Sequence, residues 1–189
     1  VKKALKYVEE KSGKVFGGKE NPLLVSVRSG AAMSMPGMMD TILNLGLNDE
    51  TVEGLATLTK NPRFAYDSYR RFIGLFGKIA LDVKDELYDK ALDAKKAAKG
   101  VKLDTELDAD DWKSLSQEFI KITETATGKP FPKCPMEQLE YAICAVFRSW
   151  MGKRAVDYRR EFKITPEMAD GTAVSVVSMV YGNMGDDSA

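Results

Sequence analysis

The chain has 189 residues, 44% of them hydrophobic and 30% charged, as in an ordinary soluble globular protein with room for a sizeable core. Its 28 basic and 28 acidic residues cancel, so nothing global points to nucleic acid or an anionic membrane, and only a local anion site stays open. It has no histidine, which excludes His-based acid–base chemistry, His metal ligation, phosphohistidine chemistry and Ser-His-Asp or Cys-His nucleophiles within the chain.

Two cysteines, Cys134 and Cys144, are expected to be buried or inert thiols. On one helix they would lie about 15 Å apart along the axis, too far for a disulfide. With so few thiols, a cytoplasmic compartment is the default. No apolar run reaches the roughly 20 residues that a membrane helix needs, and no signal peptide is visible. The first residue, Val1, falls inside an amphipathic pattern with Ala4, Leu5 and Val8. The chain is therefore expected to begin inside a longer protein, with any targeting peptide upstream.

In chain order, residues 1–10 read as a short helix and 11–22 as a Gly-rich connection. Residues 23–28 are a β-type run whose alternation puts Leu24, Ser26 and Arg28 on one face and Leu23, Val25 and Val27 on the other. A loop of small residues and methionines is predicted for 29–41. A short helix over 49–58 has Asn48 or Asp49 as its cap. Asn61-Pro62 is a helix start, followed by an apolar stripe through Tyr66, Tyr69, Phe72, Ile73, Phe76, Ile79 and Ala80. Further helices are predicted over 84–99, stopped by Gly100, and over 108–127, capped by Asp108 and ended by Gly128. Others follow over 135–150 and 154–162. Residues 172–181 form a near-continuous, β-branched apolar run, read as a strand buried on both faces. A turn is expected over 182–189.

The expected fold class is α+β and helix-rich. Two clear strands do not make a stable sheet, so the rest of the sheet is expected outside this chain rather than hidden in its loops. The acidic run Asp104, Glu106, Asp108, Asp110 and Asp111 lacks the glycine and terminal glutamate of a calcium loop and reads as a loop plus helix cap. The basic cluster Arg148, Lys153, Arg154, Arg159 and Arg160 reads as a solvated helix face paired with nearby acids.

The chemistry concentrates in residues 25–48. A strand delivers Arg28, whose fixed fork of donors suits a phosphate. Gly30 and Gly37 permit close backbone approach, and successive N–H groups can cradle anionic oxygens. Ser29, Ser34 and Thr41 add hydroxyls. Met33, Met35, Met38 and Met39 are soft apolar fillers suited to covering a flat base. The loop matches neither a P-loop nor a Rossmann fingerprint. The residues alone leave a second reading open, with Arg28 in a structural salt bridge and the methionines in a core.

The run Ser-Val-Arg-Ser-Gly-Ala, then Ser-Met-Pro-Gly-Met-Met-Asp-Thr, then Leu-Asn-Leu-Gly-Leu-Asn resembles the signature of the pyruvate, phosphate dikinases. The segments around Asn61-Pro-Arg-Phe, Val146-Phe-Arg-Ser-Trp150 and Gly171-Thr-Ala-Val174 are similar too, in family order. The resemblance implies part of an ATP-grasp-like nucleotide domain, with a mainly helical subdomain at about 48–163. It implies ATP as ligand, with Mg²⁺ held by residues outside this chain. It also implies partner domains of the same enzyme, one carrying a phosphohistidine and one binding pyruvate, in a homodimer at full length. Arg28 corresponds to the family's phosphate-contacting arginine. Gly37, Met38, Met39 and Thr41 would form a loop closing over the nucleotide, and Val177 and Met179 would line the adenine side. A phosphoenolpyruvate synthase-like water dikinase and a non-catalytic helical module of the same fold are the alternatives.

Overall fold

The computed structural model describes residues 1–181, so the turn expected over 182–189 lies outside the described residues. Helix α1 (Lys2–Ser12) is followed by short strands β1 (Val15–Phe16) and β2 (Pro22–Leu23), then by β3 (Val25–Ala31) and β4 (Thr41–Leu45). Helices α2 (Thr51–Thr59), α3 (Pro62–Ala80), α4 (Asp85–Lys99), α5 (Ala109–Thr127), α6 (Pro135–Ser149) and α7 (Lys153–Glu161) come next, and β5 (Thr172–Ser178) ends the described fold. The α+β, helix-rich class is as expected.

Helix ends fall where the sequence carries capping chemistry. The Asn61 side chain accepts from the Phe64 N–H at 3.0 Å, with Pro62 at the first helical position. The Asn48 side chain accepts from Glu50 and Thr51 N–H at 3.0 and 2.9 Å ahead of α2. Gly100 and Gly128 stop α4 and α5 in left-handed conformations.

Asp108 caps α5 by accepting from the Asp111 N–H at 3.0 Å. The Lys99 ammonium, followed by that N–H, draws the Asp108 carboxyl down to about 2 from an ordinary 3.8. Because the folded value lies below the unfolded one, this contribution to stability is complete above about pH 3.8 and is lost as pH falls through about 2. A site-resolved NMR titration should place the Asp108 midpoint near the lower value, and Lys99→Met should raise it. A midpoint near the ordinary value in the unaltered chain would contradict the pairing.

The core is organised on α3. Phe64, Tyr69, Phe72, Ile73 and Phe76 are buried there, and α3 packs on α2, α5, α6 and β4. Gly77 permits the close approach of α4 and α5 to this helix. A Cβ there would lie 1.9 Å from the Tyr88 hydroxyl, which shares a 2.7 Å hydrogen bond with Thr123.

Three strands form an antiparallel sheet in the order β4-β3-β5. This corrects three expectations. First, β3 continues past Arg28 to Ala31, because β5 pairs with it over its whole length, from Val25↔Ser178 to Ala31↔Thr172. Arg28 therefore sits mid-strand. Second, part of the sheet was hidden within the chain: Thr41–Leu45 is a strand that pairs with β3 across the 32–40 loop. Third, β5 is not buried on both faces. Val174 and Val176 pack on the core, whereas Ala173 and Val177 are exposed. An apolar run does not encode which of its faces will be covered. Cys134 and Cys144 are also exposed, not buried.

Two buried or half-buried polar groups fix the turn after β4. Gln138 on α6 accepts from Gly46 N–H at 3.2 Å and donates to the Leu47 and Pro132 carbonyls, both at 3.0 Å. Asp49 accepts from Lys133, Tyr69 and Gln117. Burial would raise the Asp49 carboxyl, but the hydrogen bonds from Lys133 and Tyr69 outweigh it and hold it below the usual range.

Candidate functional site

Among the described residues, the face of β3 opposite the core is open at its Arg28 end: Val25 and Val27 point into the core, Arg28 and Gly30 are exposed on the other face, and Ser26 on that face is buried. Thr41 of β4 and Ser175 of β5 lie directly opposite Arg28, and Val177 lies opposite Ser26. Arg28 is exposed, and its guanidinium makes no hydrogen bond or ion pair with any other described residue. The structural salt bridge that was the second reading of Arg28 is not found among the described residues.

The 32–40 loop folds beside this face and borders a half-open cavity of about 550 Å³ lined by Ser26, Arg28, Gly30, Gly37, Met39 and Thr41, among others. Gly37 adopts φ 73° with nothing within 4 Å of where a Cβ would sit, so backbone conformation rather than crowding favours glycine there. Four of the expected site residues, Arg28, Gly37, Met39 and Thr41, thus line one cavity. Val177 shares the open face but does not line it, and Met38 packs elsewhere.

Met179 borders a different cavity, of about 700 Å³, together with Asn44, Arg70, Arg71 and Lys78. That cavity is larger, but its cations are committed: Arg70 and Arg71 to Asp67, and Lys78 to Asp85. The smaller cavity holds the Arg28 guanidinium, which has no partner among the described residues.

The loop methionines form a satellite apolar cluster. Met35 is buried with Trp150 and Ala169, and Met33, Met38 and Met39 pack around them with Tyr158 and Ile164. Polar contacts complete the attachment. Asp40 N–H donates to Ser149 Oγ at 3.3 Å, and Arg154 donates to Asp40 Oδ1 at 2.8 Å and to the Gly37 carbonyl at 3.4 Å. Sequence reasoning missed this attachment. It grouped Arg154 with a helix face paired locally, and that does describe Lys153 and Arg160, which both pair with Asp157. Arg159 instead lies over the Trp150 ring at 3.9 Å and donates to the Trp150 carbonyl at 2.8 Å.

No group of three or more Cys, Asp or Glu side chains among the described residues could hold a metal ion. Asp40, the acid of the loop segment, is engaged by Arg154. Among the described residues, no helix is long and apolar enough to cross a membrane.

A family model described as the pyruvate phosphate dikinase AMP/ATP-binding domain matches residues 1–188. The chain belongs to this family. It is 79% identical over 189 residues to a pyruvate, phosphate dikinase of Entamoeba histolytica, covering all of this chain and 21% of that protein. A Giardia intestinalis pyruvate, phosphate dikinase is 60% identical over 184 residues, which is 97% of this chain and 21% of the relative. One from Clostridium symbiosum is 54% identical over 186 residues, with 98% and 21% coverage. The chain therefore spans about a fifth of the length of these relatives.

Proposed function

We propose that this chain supplies one wall of the ATP/AMP site of a pyruvate, phosphate dikinase. The complete enzyme would present ATP so that a histidine on a separate swivelling domain attacks its β-phosphate. The overall reaction would convert ATP, phosphate and pyruvate to AMP, pyrophosphate and phosphoenolpyruvate. The observation that carries this reading is the exposed Arg28 guanidinium, without a partner among the described residues, on a sheet face beside the Gly37 loop, in a chain matched by the family model over residues 1–188.

The chain's own residues have limited tasks. Arg28 neutralises and orients phosphate oxygens, which is most of what a protein contributes to phosphoryl transfer. Gly37, with Met38, Met39 and Thr41, brings backbone and a hydroxyl over the nucleotide. Val177 offers an apolar surface on the same face, and Met179 is the more distant part of the adenine side. Mg²⁺ would neutralise phosphate charge when bound, held by ligands beyond this chain. The chain is read as part of one nucleotide domain, with the helices of about 48–163 as its helical subdomain. The remaining domains of the same polypeptide are its partners, in a homodimer at full length. A cytoplasmic location suits the two exposed, unpaired thiols.

Isothermal titration with ATP tests the reading. The complete protein should bind, and the isolated chain should bind at least roughly a hundredfold more weakly, since one wall gives few of the required contacts. No binding to the complete protein would overturn the assignment. A micromolar dissociation constant for the isolated chain would overturn the single-wall account.

A further inference from the structure

The geometry points to Arg154, acting through Asp40, as the positioning residue that holds the Gly37 loop in place beside Arg28. This rests on the reading that the loop closes over a nucleotide.

The loop has little structure of its own. Between Ala32 and Asp40, its one internal backbone hydrogen bond among the described residues is Met38 N–H to the Met35 carbonyl at 3.2 Å. Its other attachments run to the α6–α7 corner. Met35 enters the apolar cluster of Trp150 and Ala169. Ser149, whose hydroxyl also donates to Val146 O at 2.7 Å, accepts from the Asp40 N–H.

Arg154 bridges both ends of the Gly37–Asp40 segment, reaching the Gly37 carbonyl with one terminal nitrogen and the Asp40 carboxylate with the other. A guanidinium can span two acceptors in this fixed way, whereas an ammonium is a single point charge. The residues it bridges belong to the segment that forms the cavity wall, with Gly37 and Thr41 on the lining. Arg154 itself is not among the residues lining the cavity. Its effect on a phosphate group is therefore indirect.

An exposed ion pair of this kind adds little to global stability. What it can shift is the population of loop conformations in which Gly37 and Thr41 face Arg28. The energy involved is small, but it falls on the Gly37–Asp40 segment, whose other restraints are the methionine cluster and the single Asp40 N–H contact with Ser149.

The test uses the complete protein with Arg154→Ala, Arg154→Lys, Asp40→Asn and, as reference, Arg28→Ala. Arg154→Ala should raise the KM for ATP roughly three- to tenfold. The thermal midpoint and the partial reaction at the pyruvate site should be unchanged. Amide exchange over residues 33–40 should quicken. Arg154→Lys should fall between the parent and the alanine variant, because lysine can meet Asp40 but not both acceptors. Asp40→Asn weakens the same contact from the loop side, removing the charge while keeping an amide oxygen that can accept, and serves if Arg154→Ala does not fold. Unchanged KM and unchanged loop exchange in both would overturn the positioning role while the nucleotide reading stands. Full phosphoryl transfer by Arg28→Ala would instead overturn the nucleotide reading.

Discussion

Replacing Arg28 by alanine in the complete protein is expected to slow ATP-dependent phosphorylation of the histidine domain by about 10²–10³-fold, the usual effect of deleting one preorganised donor from a charged transition state. The fold should survive. Arg28 is exposed and makes no contact with a described residue that its removal would leave unsatisfied, so the change in stability should stay within about 0.5 kcal/mol. This separation of activity from stability is what distinguishes a ligand-facing arginine from a structural one. Rapid-quench measurement of the phosphorylated histidine, beside a melting curve, checks both halves. A parental phosphorylation rate would contradict the role given to Arg28, and a collapse in stability would imply a structural contact instead.

The second large effect belongs to the core. Phe76 is fully buried at the centre of an aromatic group, with ring centroids 5.4 Å from Phe72, 5.6 Å from Phe131 and 6.2 Å from Tyr141. It joins α3 to the 129–134 connection and to α6, the helix whose Gln138 fixes the turn after β4. Truncation to alanine should cost about 3–5 kcal/mol, the sum of lost transfer energy and an incompletely collapsed cavity. Against a typical domain stability of about 5–15 kcal/mol, that is a large fraction. The transition of this domain in scanning calorimetry should fall by about 6–20 °C. A fall of less than about 3 °C would mean that the neighbouring rings close the gap, contrary to the packing described.

The helices were legible because their signals are local. Asn61 before Pro62, Asp108 three residues before Asp111, and Gly100 and Gly128 at helix ends each act within one turn of the chain. The sheet was less legible because its pairing is not local. Nothing near Ser29–Ala31 announces a strand. Those residues are extended because β5, more than 140 residues later, supplies their partners, as Ala31↔Thr172 illustrates. Thr41–Leu45 does carry alternation, with Ile42 buried and Thr41 and Leu43 exposed, but the loop predicted for 29–41 takes in only Thr41, and no element is predicted for 42–48.

The site divides in the same way. Arg28, Gly37, Met39 and Thr41 could be singled out because they lie within 14 residues of one another in a recognisable segment. The pairing of Arg154 with Asp40 joins residues 114 apart, and no spacing rule reaches that far. Exposed charge on a helix is ordinarily solvated, so Arg154 looked like its neighbours Lys153 and Arg160 until the loop was seen against it. The methionines illustrate a different limit. Their softness fits either a ligand cover or a core, and only the contacts with Trp150 and Ala169 reveal the apolar cluster.

If the exposed face of the β4-β3-β5 sheet and the 32–40 loop form one wall of a nucleotide site, ATP must protect both. Hydrogen–deuterium exchange on the complete protein, with and without saturating ATP and magnesium, should show slower exchange over residues 28–41 and over the 173–177 segment of β5, with little change at the α4–α5 surface. ATP-dependent protection that avoids 28–41 and appears instead around Arg70, Lys78 and Asp85 would place the nucleotide in the other cavity and rule out this wall.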